Sequence, residues 1–183
     1  MKNLDYFISF GRDNNFNLIR FISALAVILS HSYPLSLGKS AFEPFEEIIG
    51  ISLGEMAVHV FFVTSGFLVT GSLIRNNNIF DFFLSRILRI FPALIVSALF
   101  VIILCGVAET KLTLIEYFYN PQTLSYFITN SLLIIKSVVY FLPSVFIDNP
   151  YPSVVNGSLW SLPWELRMYI ILGGSFFIFK KKG

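Results

Sequence analysis

The sequence predicts an all-α integral membrane protein, a polytopic helical bundle, on three observations. Charged residues make up only 13% of the chain, about half the share expected of a soluble domain. Phenylalanine alone occurs 21 times and the hydrophobic fraction is 55%, so the main solvent of this chain is lipid. Three windows, residues 21–38, 56–74 and 90–108, contain no Lys, Arg, Asp or Glu. At 1.5 Å of rise per residue each covers roughly 27 to 29 Å, enough for a bilayer's hydrocarbon core. The formal net charge of +2 says nothing about nucleic acid, but no basic cluster is interleaved with aromatics, so membrane lipid, and no nucleic acid, is the expected partner. Cys105 is the single cysteine, which rules out an internal disulfide.

Taken in order, residues 1–17 form a polar leading segment without the charged, apolar and cleavage regions of a signal peptide. The membrane region covers 18–179, with spans expected at about 18–38, 55–74, 89–107 and 161–179. Residues 117–146 are apolar but interrupted by Pro121, Asn130, Lys136 and Pro143. They are expected either to re-enter or to form an additional span. Residues 180–183 are a basic tail. Lys2, Arg12 and Arg20 precede the first span, and Arg75, Arg86 and Arg89 follow the second, which puts both groups and the N-terminus in the cytoplasm. The segment between those spans carries one Lys and four Glu between Gly38 and Glu55, which suits the other side. Three strong spans with weaker ones make a poor closed bundle, so the chain is expected to be the N-terminal portion of a larger domain.

Several ionisable residues sit where lipid makes them expensive. Arg20 and His31 are eleven positions apart, within about 20° of one helix face and roughly 16 Å apart along the axis. With Arg20 at the inner headgroups, His31 falls near the bilayer midplane or slightly beyond. Arg20 suits a snorkelling boundary residue. For His31, an intramembrane group able to take and return a proton, function is the better default. His59, near the outer end of the second span, fits a helix-end histidine at least as well as a chemical role. Ser65, Gly66, Thr70 and Gly71 make that span small-sided, and Gly66 and Thr70 share a face suited to helix packing. Arg86 and Arg89 lie one turn apart at the inner start of the third span, equally consistent with a positive-inside anchor and with a clamp for phosphate oxygens. In "GSLWSLPWELRMYIIL", Ser158 or Ser161 can cap the helix, and Trp160 and Trp164 suit an interface. Glu165 and Tyr169 share a face while Arg167 points away from both. No metal-ligand spacing, phosphate-cradling glycine loop or nucleophile elbow is present.

Four stretches in order carry a resemblance: Arg20 with ten residues before His31, "FFVTSGFLVT" (61–70), the R-x-x-R of Arg86 and Arg89 followed by "IFP", and "LWSLPWELRMY" (159–169). Across about residues 18–172 the chain resembles the acyltransferase type 3 family of integral membrane acyltransferases, which includes bacterial O-acetylases of cell-envelope carbohydrates. It departs from that pattern at His59, where Asp or Asn is frequent, and at Pro163 and Trp164, where Ser and Val are usual. The family domain is roughly twice this length, beyond the size of an ordinary single domain.

The resemblance implies a function. An acyl group, acetyl in the first instance, moves from acyl-CoA (acetyl-CoA), a co-substrate rather than a permanently bound cofactor, to a hydroxyl of a carbohydrate or lipid-linked sugar. His31 acts as general base or passes the acyl group onward, with Arg20 and Glu165 as its catalytic partners. Arg86 and Arg89 hold the donor phosphates, and Ser65, Trp160 and Tyr169 contact substrate. No metal is implied, and the location is the bacterial inner membrane. The competing class is a non-catalytic transport or assembly component, for which intramembrane Arg and His would line a path; the chain lacks the inverted repeat and paired broken helices of such proteins.

Overall fold

The computed structural model describes residues 15–133 and 138–180, and among them every regular element is a helix. Lys2 and Arg12 of the leading segment, Lys136, and the last three residues of the basic tail lie outside the described residues. Three helices are long and apolar enough to cross a membrane: Phe16–Leu37, Leu53–Asn76 and the continuous rod Ile79–Glu109. The protein is therefore an all-α integral membrane protein. The chain divides after Asn77 into two compact units.

The first unit holds α1 (Phe16–Leu37), the single-turn α2 (Glu46–Ile49) and α3 (Leu53–Asn76). Phe16 stacks near Phe67 with ring centroids 5.3 Å apart, while Ser30 meets Gly54, so α1 and α3 run antiparallel. Their contact is built from small residues. Ser23 and Ser30 are the buried positions of α1, and Gly54, Ala57, Thr64 and Gly71 are among those of α3. Lipid gives little drive for apolar helices to associate, so close backbone approach and interhelical hydrogen bonds hold such a pair. The face differs from the expected one. A Cβ on Gly66 would meet nothing within 4 Å, and Thr70 turns its hydroxyl to its own helix at the Gly66 carbonyl, 2.7 Å. A spacing of four between Gly66 and Thr70 marks a face but not which face meets a neighbour. Gly54, Ala57, Thr64 and Gly71 recur at three and seven, and that stripe is the one that is buried.

Between α1 and α3 the chain folds back on itself. Pro34 in α1 has no N–H to offer the Ser30 carbonyl, which loosens the helix beside His31. Gly38 closes α1 by donating to the Pro34 carbonyl, 3.0 Å, and Leu53 N–H donates to the Pro44 carbonyl, 2.9 Å. Phe45 takes φ +69°, a left-handed conformation that costs a non-glycine residue about 1–2 kcal/mol and persists only where the surroundings dictate it.

In the second unit, α4 (Ile79–Phe100) passes without a break through a π-helical segment, Val101–Gly106, into a last turn, Val107–Glu109. The rod has 31 residues, roughly 46 Å, and exceeds a hydrocarbon thickness of about 30 Å. It starts ten residues before the expected span because Asn78 caps it, its Oδ1 accepting from Phe80 N–H at 3.0 Å and Asp81 N–H at 3.4 Å. Arg86 and Arg89 delimit a charge-free window but do not break a helix. The Ile102 carbonyl, within the π segment, accepts the hydroxyl of the fully buried Tyr117 at 3.1 Å.

Residues 117–146 contain no spanning helix among the described residues. α5 (Leu114–Tyr119) ends at Asn120, and α6 (Pro121–Leu132) has 12 residues, about 18 Å. After residues 134–137 the chain returns against α6, where the buried Asn130 amide donates to the Val139 carbonyl at 2.8 Å and accepts from Val139 N–H at 3.0 Å. Backbone that leaves helix or sheet in an apolar setting needs such partners. Tyr117, Tyr126, Leu142 and Val145 pack with Ala98, Val101 and Ile102 into the core of this unit, with Cys105 at its edge. A 3₁₀ turn, Gly157–Ser161, leads into α7 (Leu162–Lys180).

Candidate functional site

Each unit carries a polar cluster built on residues singled out in the sequence. In the first, His31 lies six residues before the end of α1, beyond the helix midpoint and about 9 Å short of its end. Its side chain is 41% exposed. The loop returns Glu43 to it, with Oε1 3.4 Å from His31 Nδ1. Glu43 also accepts a short hydrogen bond from the Ser30 hydroxyl, and Ser30 Oγ accepts from Gly54 N–H at 2.8 Å. Gly54 stands in the first turn of α3, where free N–H groups and the helix dipole favour an anion nearby. Burial pushes the Glu43 carboxyl up, but hydrogen bonds from Ser30 and Ser52 and the neighbouring His31 outweigh it, holding the group below the usual carboxylate range. There is no room for more than a hydrogen at Gly54: an added Cβ would lie 2.9 Å from Ser30 Oγ and 3.0 Å from its Cβ.

Arg20 is half-buried near the opposite end of α1. His59 is exposed and pairs with Glu55 of its own helix, Nε2 to Oε1 4.0 Å, so its partner is one turn back rather than in a loop. Ser65 is half-buried on α3. No group of three metal-ligating side chains occurs among the described residues.

In the second unit, the guanidinium carbon of Arg86 stands 5.5 Å from the Phe82 ring centroid and 5.6 Å from that of Tyr169. The two rings meet edge-on at 6.3 Å. Tyr169 is buried and donates a short hydrogen bond to Glu165, so its ring links that carboxylate to Arg86. Arg86 Nε is buried without a hydrogen-bond partner among the described residues. Arg89, one turn on, is exposed. α7 approaches closely here because Gly173 is bare: a Cβ there would lie 2.5 Å from Phe83 Cζ. Trp160, in the 3₁₀ turn, is 42% exposed. Arg167 turns to Trp164, 4.6 Å from its ring. The Ser158 hydroxyl donates to Asn156 Oδ1 and that of Ser161 to the Ser158 carbonyl.

The structure thus gathers Arg86, Glu165 and Tyr169, and gives His31 a carboxylate, Glu43, that the sequence reading did not single out. Glu43 is one of four acids in a segment that charge counting assigns only to a side of the membrane. Its one legible signal is that it follows the Pro34–Gly38 helix ending closely enough for the loop to fold back.

These features define an all-helical integral membrane protein with a histidine on one span met by a loop carboxylate, and an arginine pair on another span. The family model of acyltransferase 3, an acyltransferase domain, matches residues 13–181, and the chain belongs to that family. The chain is 32% identical over 168 residues to the O-acetyl transferase of Shigella phage Sf6, covering 88% of this chain and 45% of that protein. It is 33% identical over 171 residues to Nodulation protein 10 of Rhizobium leguminosarum bv. viciae, covering 90% and 44%. The chain spans less than half the length of these curated relatives. No solved structure matches it.

Proposed function

We propose that this chain carries the general base and the donor-binding arginines of a membrane O-acyltransferase. The enzyme transfers an acetyl group from acetyl-CoA to a hydroxyl of a cell-envelope carbohydrate or lipid-linked sugar. The observation that carries this reading is His31, an imidazole on a membrane-spanning helix whose Nε2 has no partner among the described residues. An intramembrane ionisable group is rarely kept without a task, and imidazole is the side chain best suited to moving a proton near neutral pH. The name of the phage relative, an O-acetyl transferase, supports acetyl as the group and oxygen as the acceptor atom.

In the proposed step the acceptor hydroxyl gives its proton to His31 Nε2 as its oxygen attacks the thioester carbonyl. The tetrahedral adduct collapses with cleavage of the carbon–sulfur bond, and the leaving thiolate takes the proton back from the imidazolium. Arg89, exposed and one turn from Arg86, supplies a planar fork for the donor's phosphate oxygens. Ser65 and Trp160 are candidate acceptor contacts. The positive-inside distribution supports an inner-membrane location with the N-terminus cytoplasmic.

The test is mass analysis of surface glycans, with a labelled acetyl-CoA assay on vesicles holding the intact protein. His31→Ala is expected to reduce transfer by about 10²- to 10⁴-fold, the usual worth of a general base, at undiminished membrane insertion. Transfer at the parental rate would overturn the assignment.

A further inference from the structure

We infer that Glu43 is the positioning residue of His31, holding the imidazole in the tautomer that presents a free lone pair on Nε2. The inference rests on the reading of His31 as the base. An ionised carboxylate only accepts hydrogen bonds, so a bond across the 3.4 Å between Glu43 Oε1 and His31 Nδ1 requires the ring proton on Nδ1. Nε2 is then the acceptor. The pairing of an imidazole with a carboxylate on one nitrogen and the reacting proton on the other is the general arrangement by which a base is oriented and its cationic form stabilised.

The geometry around Glu43 fits that task better than a helix cap. Its second oxygen is fixed by Ser30, the residue before His31, and Ser30 is in turn fixed by Gly54 N–H. The carboxylate is thereby tied to both helices. Two of the other acids at this end are occupied elsewhere, and the third, Glu47, is exposed. Glu46 accepts from the Glu43 N–H at 2.9 Å, and Glu55 faces His59. Among the described residues Glu43 is the acid of this unit that faces His31, and its side chain is 17% exposed, sheltered enough for its field to act on the ring. The turn that delivers it contains Phe45 in its left-handed conformation, a local cost consistent with a loop held for its position rather than for ease of folding.

The experiment compares Glu43→Gln, Glu43→Asp, His31→Ala and the double variant His31→Ala/Glu43→Gln in the intact protein reconstituted in lipid vesicles. Initial rates are normalised to folded protein. Glu43→Gln keeps the shape but not the charge, and is expected to lower kcat by more than about 10-fold and up to about 10⁴-fold, the loss when the carboxylate that sets a catalytic imidazole's tautomer becomes an amide. KM for acetyl-CoA and for the acceptor should stay unchanged. Glu43→Asp is expected to restore part of kcat, and the double variant to be no slower than His31→Ala alone, because Glu43 acts through the ring. Parental kcat in Glu43→Gln beside an inactive His31→Ala would overturn this inference and leave the base assignment standing. So would a double variant slower than His31→Ala, or a Glu43→Gln whose loss lies wholly in the amount of folded protein. An active His31→Ala would remove the base assignment and this inference together.

Discussion

The two polar clusters solve opposite problems with charge. Around His31 the charge is negative, comes from a loop and is surrounded by hydrogen-bond donors: Ser30, Ser52 and the His31 ring. Around Arg86 the charge is positive, comes from a span and is surrounded by aromatic faces, with Nε left bare. A carboxylate in a low-dielectric setting needs its lone pairs filled one by one. A guanidinium is delocalised and weakly hydrated, and tolerates ring faces in place of water. The first cluster is therefore geometrically demanding and suited to orienting one atom. The second is tolerant of exchange and suited to holding charge, with Arg89 beside it free for a ligand.

The sharpest way to break that contrast is at Gly54. Gly54→Ala places a methyl against Ser30 Oγ and Cβ and is expected to lower the stability of the protein by about 1–3 kcal/mol, the usual cost of overpacking. Its transfer rate should fall further than stability explains, because Ser30 and Glu43 shift with it. Thermal midpoints in detergent alongside kcat would check this, and an unchanged midpoint would mean that α1 and α3 are not held together at this point. The next effect separates the arginines. Arg89→Gln is expected to raise KM for acetyl-CoA about tenfold, roughly 1.4 kcal/mol, with the thermal midpoint unchanged. Arg86→Gln should raise that KM as well and, unlike Arg89→Gln, lower the midpoint by removing two cation–π contacts worth about 0.5–2 kcal/mol each. Equal profiles for the two variants would erase the division of labour. The smallest effect is on acid stability. The Glu43 carboxyl is held below its ordinary range in the folded chain, so its contribution is present above the unfolded carboxylate value and lost as pH falls below it. Ser30→Ala should flatten that part of the stability–pH curve, read by thermal unfolding between acid and neutral pH.

How much of each cluster was legible in the sequence follows from the distance along the chain between its parts. Phe82 with Arg86 and Glu165 with Tyr169 are four apart, and helical periodicity pairs them before any fold is known. Arg20 and His31 are aligned by the same periodicity. Glu43 is twelve residues beyond His31 across a helix end, a proline and a turn, and no periodic rule carries through a loop. The packing face of α3 failed for a related reason. Small residues occur on more than one of its faces, and a single-helix pattern does not say which of them a neighbour uses. Hydropathy windows stop at Arg89, whereas α4 continues through both arginines back to its cap at Asn78.

The sequence by itself determined the class: scarcity of charge and windows of about twenty apolar residues leave helices across a bilayer as the solution that satisfies every backbone group. It also placed the ionisable residues on those helices, since position along a helix is fixed by residue count. Only the tertiary structure decided which carboxylate meets His31, which ring faces hold Arg86, and that the described residues among 117–146 lie in two short helices and a returning segment. Those outcomes depend on loop closure and on competition among similar faces, where the free-energy differences come from contacts between residues far apart in the chain.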